Sequence, residues 1–475
     1  MDYKKISYRQ EIKKGLEMDR SQIIIRNAHT NNLKNIDIEI PKHKLVVFTG
    51  VSGSGKSSLL FDTIYTEAQR QLVETFSTFA RTRMPKLSRP DVDEILNLST
   101  SIVIDQKRMG KNLRSTVGTS TEINTYLRLL FSRLGQPFIG PSFYFSFNHP
   151  EGMCPHCHGL GKQIKINLEL FLDKEKTVRE GAITHPHYKV GGYLWSELVN
   201  LNVIDADKPV KDFSPEELHL FLYSEPFPIK KAKEKLTYNR TFEGIVRKLE
   251  NAVSSRADDE SSDEEKNAYT KYFDYQTCEY CNGSRLNERT RNVKLNGLSM
   301  ADICRLELVD VLSFLLKIND EVSKPILRKA QFILQQLIEI GVGYLSLDRS
   351  VGTLSGGESQ RVKMSKQMDC DLVDMLYVLD EPSIGLHPRD TENLMKILSR
   401  LKEKGNSVFV VEHDPDIIRA AEWIVDIGPK AGQYGGRVIY NGEPEGLKNT
   451  DSITGKYLQI QEKPIYKRKQ ATSFF

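Results

Sequence analysis

The stretch Thr353-Leu-Ser-Gly-Gly-Glu-Ser-Gln-Arg361 decides the fold of this 475-residue chain. Two further motifs accompany it: the glycine-rich loop Gly50-Val-Ser-Gly-Ser-Gly-Lys-Ser57 far upstream, and Leu376-Tyr-Val-Leu-Asp-Glu-Pro382 shortly downstream. The loop follows the continuous apolar run Leu45-Val-Val-Phe48, which is typical of a buried strand that leads into a phosphate-binding loop. The chain is therefore expected to contain an α/β nucleotide-binding domain.

Together the three motifs indicate an ABC-type ATPase cassette rather than another class of P-loop enzyme. An ordinary cassette has far fewer residues between its loop and its signature than lie here between Ser57 and Thr353. The sequence thus predicts an α/β cassette, a helical signature domain and a large inserted domain. The expected boundaries are an N-terminal extension at 1–21, the cassette at 22–100 and 351–460, the signature domain at 101–157 and 278–350, the inserted domain at 158–277, and a basic tail at 461–475.

Hydrophobic patterning predicts individual elements of the cassette, including two amphipathic antiparallel strands and a mostly parallel sheet. The expected strands are 23–28, 33–40, 45–48, 375–379, 407–411 and 423–427. Helices are expected at 390–402 and 324–340, the latter capped by Gly341. The material between the two ends of the cassette is expected to lie outside any sheet, and the acidic run 258–265 to form a solvated loop.

Composition limits the functional classes. The chain has 67 basic and 63 acidic residues, a net charge of +4, so any DNA-binding face must be a local patch. No apolar run is long enough to span a membrane, and the N-terminus lacks the apolar core of a signal peptide. Four of the six cysteines form two Cys-x-x-Cys pairs, which favours metal ligation in a reducing compartment over disulfides. These features predict a cytoplasmic protein with no membrane partner.

The loop and the strand Leu376–Asp380 predict how ATP and Mg²⁺ would be held. Lys56 would reach the β- and γ-phosphates, Ser57 would ligate Mg²⁺, and Asp380 suits the Mg²⁺ side of the site. Glu381 is the candidate general base that orients the attacking water. The expected nucleotide-contacting residues are Gly50, Ser52, Gly53, Gly55, Lys56, Ser57, Ser58 and Asp380.

Two residues outside the motifs complete the candidate site. His413, after the strand 407–411, stands where ABC proteins have a switch histidine that contacts the γ-phosphate. Gln106 is the candidate for the glutamine that links Mg²⁺ to the helical region. A lone histidine or glutamine is more often structural, and only the context of the motifs favours the functional interpretation.

The signature implies a second cassette. Ser355 and the amides of Gly356 and Gly357 open a helix and so form an anion site. In ABC proteins this site closes on the ATP that the opposite cassette holds, so one cassette cannot assemble a complete active site. The sequence leaves open whether the partner is a second copy of this chain or a separate protein.

The two cysteine pairs predict a structural zinc site. Cys154, Cys157, Cys278 and Cys281, each pair with trailing glycines, can supply four thiolates to a tetrahedral Zn²⁺. The alternatives are free thiols or a redox pair. The wide separation of the pairs predicts that zinc staples the two roots of the inserted domain. His156 and His158 are not expected to be ligands, and the isolated Cys304 and Cys370 are expected to be core residues.

Two basic stretches are candidate nucleic-acid surfaces, although an ordinary solvated face explains such a pattern equally well. The first, with Tyr238 and Phe242 interleaved, comprises Lys230, Lys231, Lys233, Lys235, Arg240, Arg247 and Lys248. The second, just beyond Gln106, comprises Lys107, Arg108, Lys111 and Arg114.

Several further stretches resemble one family closely, over about residues 22–460. These are Asn31-Asn-Leu-Lys-Asn-Ile36, Phe61-Asp-Thr-Ile-Tyr65, Arg114-Ser-Thr-Val-Gly-Thr119, Tyr126-Leu-Arg-Leu-Leu-Phe131, Phe145-Ser-Phe-Asn148, Asp426-Ile-Gly-Pro429 and Ser452-Ile-Thr-Gly-Lys-Tyr457. With the cysteine pairs, they resemble UvrA, the ABC-type ATPase subunit of bacterial nucleotide-excision repair, and most of all its N-terminal half.

The resemblance implies ATP-site roles for Lys56, Ser57, Gln106, Ser355, Asp380, Glu381 and His413, and zinc ligation by the four cysteines. It also implies a protein that surveys duplex DNA for distortions as an ATP-gated dimer and then loads UvrB. No nuclease-like carboxylate cluster is present, so the chain is not expected to cut DNA itself.

The sequence departs from the family in two ways. Family members usually contain two fused cassettes, whereas this sequence has one. They also place a UvrB-binding domain where Gly135-Gln-Pro137 here runs almost directly into the first cysteine pair, so engagement of UvrB stays open. The alternatives are a UvrB-independent drug-resistance or self-protection ATPase of the same family, or the ATPase subunit of a transporter, against which the zinc-stapled insertion argues.

Overall fold

The chain divides into two compact units. The computed structural model describes residues 20–84, 86–107, 112, 114–200, 203–233, 236–255, 271–368, 370–386 and 388–462. Residues 1–109, 332–344 and 354–475 form one unit, called here the sheet unit, and residues 110–331 and 345–353 form the other, called the inserted unit. The acidic run 258–265 lies outside the described residues, as do nearly all of the N-terminal extension and of the basic tail.

The strands of the described chain are, in order, β1 Gln22–Ala28, β2 Ile36–Pro41, β3 Leu45–Thr49, β4 Glu94–Leu96, β5 Ser101–Ile104, β6 Lys162–Ile166, β7 Phe227–Lys233, β8 Leu236–Phe242, β9 Phe273–Thr277, β10 Lys294–Leu295, β11 Leu298–Ser299, β12 Leu376–Asp380, β13 Ser407–Val411, β14 Trp423–Gly428 and β15 Arg437–Gly442. In the sheet unit they form a six-stranded sheet of order β15-β14-β3-β13-β12-β5 and a three-stranded sheet of order β2-β1-β4.

The six-stranded sheet is parallel except for its edge strand β15. Every residue of β3 and β13 is buried, which explains their continuous apolar sequences, because helices cover both faces of such a sheet. The helices of the sheet unit are Ser58–Tyr65 (a π-helix), Thr66–Glu74, Thr78–Arg81, Gly356–Met368, Pro388–Glu403, Pro415–Ala420, Pro444–Leu447 and Ile453–Glu462, with a 3₁₀ turn at Gly432–Tyr434. The α/β fold predicted from the motifs is confirmed.

The three-stranded sheet is antiparallel, as the alternating pattern predicts. The strand expected at 33–40, however, begins only at Ile36. Asn35 has φ of 53°, a left-handed conformation, and the amide of Leu33 donates to the carbonyl of Thr30 in a turn. A turn therefore replaces the first residues of the expected strand.

In the inserted unit the helices are Val117–Ser120, Ile123–Leu134, Leu168–Phe171, Tyr193–Asn200, Pro215–Tyr223, Ile245–Ser255, Glu288–Arg291, Met300–Arg305 and Leu308–Leu316, with 3₁₀ turns at Ser142–Phe145, Pro186–Tyr188, Val210–Asp212 and Val351–Thr353. A further helix, Lys324–Glu339, has its first half in this unit and its second half in the sheet unit. Gly341, with φ of 83°, follows that helix, and its amide donates to the carbonyl of Ile338, as expected of a C-cap.

The expectation that the middle of the chain lies outside any sheet is wrong. Antiparallel ribbons form between β6 and β9, between β7 and β8, and between β10 and β11. Their sequences carry lysines and other polar residues, so two-stranded ribbons that bury little surface escape a search for apolar alternation. Within the described residues, no helix is both long and apolar enough to cross a membrane.

The inserted unit has a core of its own. Side chains from the ribbon β6–β9 and from the helices between its strands pack into one cluster, in which Phe171 and Phe221 are fully buried. We expect Phe221→Ala to destabilise this unit by about 3–5 kcal/mol, because the change removes buried apolar surface and leaves a cavity.

Tryptophan fluorescence measures this loss. Trp195 packs against the cluster and Trp423 lies in β14, so in a Trp423→Phe background the emission during urea unfolding reports the inserted unit. Leu316→Ala is the matched control, since that side chain is 61% exposed and its removal should change stability by less than about 0.5 kcal/mol. Equal unfolding midpoints for the two variants would exclude Phe221 from the core.

Candidate functional site

The parallel register gathers the candidate ATP-site residues at one edge of the sheet. Asp380 at the end of β12 pairs with Val411 of β13, and Val411 pairs with Phe48 of β3. Because parallel strands end at the same edge, the residues that follow them converge there. These residues are the loop 50–57 after β3, Gln106 after β5, Glu381 after β12 and His413 after β13.

The loop adopts the phosphate-cradling conformation that its glycines allow. Gly50 has φ of 129°, and a Cβ there would lie 2.0 Å from the carbonyl oxygen of Ile427, so no other residue fits. Lys56 is buried, and its Nζ donates to the carbonyl oxygens of Gly50 at 2.9 Å and Val51 at 3.0 Å. Ser57 is exposed and precedes the helix that begins at Ser58, so the amides of the helix N-terminus open toward the loop.

Two segments that the motifs do not include, around Asn32 and around Gly436, make hydrogen bonds to the loop. The side-chain Nδ2 of Asn32 donates to the carbonyls of Gly53 at 3.2 Å and Gly432 at 3.1 Å, and its Oδ1 accepts from Ser58 Oγ at 3.2 Å. The amide of Gly436 donates to the carbonyl of Ser54 at 2.7 Å. The stretch Asn31–Ile36, which carries the family resemblance, thus helps to shape the loop.

Several carboxylates surround Lys56 at this edge of the sheet. Burial lowers the pKa of the Lys56 ammonium, and the carboxylates of Glu381, Asp426 and Asp380 oppose that shift. Burial raises the pKa of Asp380, and the negative charge of Glu381 raises it further. Several carboxylates face one lysine, so the edge is suited to hold an additional cation beside Lys56.

Glu381 is held in an uncommon backbone conformation. Its φ is 41°, in the left-handed region, while its amide donates to the carbonyl of Val411 at 2.9 Å. Such a conformation costs about 1–3 kcal/mol in a non-glycine residue and persists only where the surroundings enforce it. Nε2 of His413 lies 3.4 Å from Oε1 of Glu381, and both side chains are partly exposed. The structure therefore brings the candidate base and the candidate switch histidine into contact.

Two buried carboxylates near this edge were missed by sequence reasoning. Glu412 accepts from the amide of Ser383 at 2.8 Å through Oε1, and from the amides of His413 at 2.8 Å and Asp414 at 3.1 Å through Oε2. It therefore orients the backbone that carries His413. Its position directly before His413 is the signal that sequence reasoning overlooked.

The second missed carboxylate, Asp426, accepts from the hydroxyls of Thr49 at 2.6 Å and Thr454 at 3.0 Å. It lies within β14, where it pairs with Thr49 directly before the loop, and its charge acts on Lys56. In the sequence Asp426 stands out only within a stretch that carries the family resemblance, and its place beside the loop follows from the pairing of β14 with β3.

The side chain of Gln106 contacts the backbone carbonyls of two site residues. Its Nε2 lies 3.5 Å from the carbonyl oxygen of Asp380 and 3.4 Å from that of Glu381, at the long end of hydrogen-bond distances. Gln360, in the quoted signature stretch but without an assigned role, makes a shorter bond of 2.6 Å to Asp380 and one of 3.0 Å to Ile104. The signature helix is thereby tied to the ends of β12 and β5.

The signature opens the helix Gly356–Met368 as expected. The amide of Ser355 donates to Oε2 of Glu358 at 2.7 Å, and the amide of Glu358 donates to Oγ of Ser355 at 3.2 Å, which is a capping box. A Cβ on Gly356 would lie 3.1 Å from the carbonyl oxygen of Gln106, and one on Gly357 would lie 3.5 Å from that of Ile384. In the described chain no hydrogen bond joins Ser355 to the loop 50–57.

The four predicted cysteines form one buried cluster. All four Sγ atoms lie within 4.8 Å of one another, and Cys157 and Cys281 are 3.7 Å apart. A tetrahedral Zn²⁺ with bonds of about 2.3 Å separates its sulfurs by roughly 3.8 Å, so the spacing fits zinc. The amide of Gly161 donates to Cys157 Sγ at 3.2 Å, and burial raises the pKa of the Cys154 thiol, so the cluster needs a cation to hold four thiolates.

The cluster lies at the base of the ribbon β6–β9. Lys162 pairs with Thr277, and the amide of Cys278 donates to the carbonyl of Gly161 at 3.1 Å. Among the other residues considered, His156 stacks on Tyr280 and is not in the cluster. Cys304 and Cys370, expected to be core residues rather than ligands, lie outside the cluster, and both are partly buried.

The structure describes little of the two basic stretches. The side chains of Lys230, Lys231, Lys233, Lys235, Tyr238 and Arg240 lie outside the described part, as do Arg108 and Lys111. Phe242 is a buried core residue, so it is not an exposed aromatic between cations, and that part of the expectation is wrong. Arg247 pairs with Glu225 at 2.6 Å and approaches Glu243 at 3.7 Å, while Lys248 and Lys107 are exposed.

Comparisons with known proteins identify the family. A family model described as the UvrA DNA-binding domain matches residues 169–271. UvrABC system protein A of Streptococcus mutans is 33% identical over 616 residues, which cover 96% of this chain and 65% of that protein. UvrABC system protein A of Paucimonas lemoignei is 37% identical over 472 residues, which cover 91% of this chain and 68% of that protein.

A comparison with solved structures points to the same family as the sequence comparison. The crystal structure of UvrA2 from Deinococcus radiodurans matches with a TM-score of 0.76 and 37% identity, over 95% of this chain and 60% of that one. The chain thus spans less than two thirds of the Streptococcus protein and of UvrA2. The identity to the Paucimonas protein and the shared fold show that this chain belongs to the UvrA family.

Proposed function

We propose that this chain is a DNA-binding ABC ATPase that recognises damaged or distorted duplex DNA in an ATP-gated dimer, as in nucleotide-excision repair. One observation carries the proposal: residues 169–271, which match the UvrA DNA-binding domain, lie in the chain between the phosphate-binding loop and the signature of a single cassette. The same polypeptide would therefore bind ATP and DNA, so closure of the cassette on ATP could change how the chain binds DNA.

Different residues at this edge of the sheet would bind the phosphates and the Mg²⁺ of ATP. The amides of Gly50, Gly53 and Gly55 and the ammonium of Lys56 would hold the β- and γ-phosphates, with Ser52 and Ser58 beside them. Ser57 and Asp380 would hold Mg²⁺, which supplies positive charge to the phosphate oxygens. The raised pKa of Asp380 supports this assignment, because a carboxylate that burial disfavours as an anion gains from a cation beside it.

Glu381 would act as general base. It would orient a water and take its proton while the water oxygen bonds to the γ-phosphorus and the bond from that phosphorus to the bridging oxygen breaks, leaving ADP and inorganic phosphate. The contact of 3.4 Å with His413 supports a histidine that senses the γ-phosphate and keeps the carboxylate aligned. Gln106 would link Mg²⁺ to the helical region, and its contacts with the backbone carbonyls of Asp380 and Glu381 support a place beside the site.

A second cassette would complete the site. The anion site of Ser355, Gly356 and Gly357 would close on ATP held by that partner, either a second copy of this chain or a separate half-protein. The lack of a hydrogen bond between Ser355 and the chain's own loop in the described residues supports closure in trans.

Zinc would stabilise the inserted unit. Cys154, Cys157, Cys278 and Cys281 would hold one Zn²⁺, which would supply a crosslink at the base of the ribbon β6–β9. That position supports the idea that zinc staples the two roots of the DNA-binding insertion. The insertion would grip DNA mainly through phosphates and detect damage as altered shape and deformability.

One observation favours a second function within the same family. Only residues 135–153 separate the helix Ile123–Leu134 from the first cysteine pair, where the resemblance implies a UvrB-binding domain in other members. The Streptococcus alignment extends over 616 positions, more than this chain contains, so that relative carries insertions absent here. A drug-resistance or self-protection ATPase that acts without UvrB fits this shortening, and incision assays with and without UvrB distinguish the two.

The role of Glu381 is tested by Glu381→Gln. We expect ATP binding to be retained and turnover to fall about 100-fold or more, because the amide cannot take the proton of the attacking water. Fluorescent-nucleotide binding and phosphate release measure the two effects. Glu403→Gln, an exposed carboxylate at the end of the helix Pro388–Glu403, is the matched control and should leave both unchanged. Normal hydrolysis in Glu381→Gln would remove Glu381 from the mechanism.

The zinc assignment is tested by Cys154→Ser. We expect the purified variant to lose its zinc and the inserted unit to unfold at lower urea, since three thiolates hold the ion less well. Metal analysis by mass spectrometry and Trp195 fluorescence measure these changes. Cys370→Ser removes a thiol outside the cluster and should change neither. Unchanged metal content in Cys154→Ser would refute the four-cysteine site.

The proposed function itself is tested by binding of undamaged and lesion-bearing duplexes with ATP, at one fixed salt concentration. We expect a clear preference for the damaged duplex. Equal, salt-sensitive binding would reduce the role to a generic grip on phosphates, which contradicts damage recognition. Absence of binding, in a sample that still binds ATP, would contradict the DNA-binding role of this chain.

A further inference from the structure

A cavity in the inserted unit has the composition of an anion site. It encloses about 200 Å³ beside the helix Ile123–Leu134. We call it the Arg128 pocket and define it by its principal lining residues Asn124, Thr125, Arg128, Ser146, Phe147 and Asn148. The residues that line it include donors and apolar groups but no carboxylate, and only one of them is charged.

Arg128 has no anionic partner in the described chain. Its Nε donates to the carbonyl oxygen of Asn124 at 3.3 Å and its Nη2 to Oγ1 of Thr125 at 3.0 Å, and both acceptors are neutral. Burial lowers the pKa of this guanidinium, and no carboxylate opposes that shift. A guanidinium has five N–H donors, so three remain without an acceptor in the part of the chain that is described. A partly desolvated cation of this kind is stabilised by an anion.

Asn124 provides a second, independent observation. It lines the same pocket with an exposed fraction of only 6%, and its Oδ1 faces Sγ of Cys304 at 3.8 Å. Its side-chain Nδ2 has no hydrogen-bond acceptor among the described residues. This nitrogen is not one of the fully buried unpaired polar atoms, so it keeps access to the pocket and is able to donate to a bound acceptor. Arg128 and Asn124 lie one helical turn apart, so their donors serve one ligand.

We propose that the Arg128 pocket binds a phosphate group. The volume exceeds the share of a single water, about 30 Å³, but falls below the roughly 300–1,000 Å³ of pockets that enclose drug-sized ligands. It therefore suits a phosphate or phosphodiester rather than a whole nucleotide. Free inorganic phosphate and a DNA backbone share this chemistry. We assign the backbone phosphate, an assignment that rests on the proposed function, because arginine beside neutral donors is the usual partner of nucleic-acid phosphates.

The phosphate arm of the test does not depend on DNA. Inorganic phosphate is titrated against the full chain in a Lys56→Ala background, which weakens the loop as a competing site, and ³¹P NMR line broadening is recorded. We expect broadening that Arg128→Gln abolishes and Arg128→Lys partly restores. Arg133→Gln removes an exposed charge from the same helix and is the matched control. No broadening before mutation, or broadening unchanged by Arg128→Gln, would overturn the pocket as a phosphate site.

The DNA arm decides the source of the phosphate. With Lys56 intact, we expect Arg128→Gln to weaken duplex binding roughly tenfold and to lower the slope of log K against log salt by about 0.9, the loss of one phosphate contact. Arg133→Gln should change the slope less. An unchanged slope, with phosphate broadening lost, would overturn the backbone assignment in favour of free phosphate. If the unmutated chain binds no DNA, the proposed function fails while the phosphate arm still judges the pocket.

Discussion

The parallel pairing of β5, β12, β13 and β3 is the constraint on which the candidate ATP site depends. Each strand ends at the same edge, so the register that aligns their buried residues also places the loop, Glu381 and His413 side by side. A shift of one residue in any pair would exchange the two faces on which the side chains pack and would displace the strand ends from one another. The core therefore fixes the geometry of the site, and polar residues at the strand ends need little support of their own beyond local hydrogen bonds.

Electrostatic balance is the second condition on this edge. Lys56 is the buried cation among Asp380, Glu381 and Asp426, and burial disfavours the charged forms of both Lys56 and Asp380. The carboxylates favour the charged form of Lys56, and Lys56 favours that of Asp380, while the carboxylates repel one another. This explains why Asp426, far from the motifs in the sequence, is buried and hydrogen-bonded to Thr49. The arrangement of these groups suits a ligand that carries both phosphate charges and a metal cation.

The inserted unit solves a different problem. The segment between β6 and β9 leaves the ribbon and returns to it, so the paired strands, with the cysteine cluster at their base, close this segment within the inserted unit. The unit then builds a separate core around Phe171 and Phe221. Because the DNA-binding match lies wholly beyond that closure, the insertion can vary in content without disturbing the strands that form the ATP site.

Motifs whose chemistry is local were read correctly from the sequence. The fold class follows from the loop, the signature and the strand Leu376–Asp380, and the cysteine quartet follows from two pairs with trailing glycines. The two-stranded ribbons of the inserted unit were not predicted from the sequence, since short polar strands bury too little surface to produce a periodic apolar pattern. The expected strand at 33–40 was shortened by a left-handed asparagine that no hydrophobic pattern reveals.

The sequence by itself determined the fold class, the glycine-rich loop and the cysteines that cluster, because those features require fixed residue types at short spacings. Only the tertiary structure revealed the buried Glu412 and Asp426, the bond from Gln360 to Asp380, and the pocket around Arg128. Each of these depends on which strands and helices meet. Whether a side chain is buried, and whether it has a hydrogen-bond partner, depends on the packing of these elements. Residues that are distant in sequence come into contact only when the chain folds.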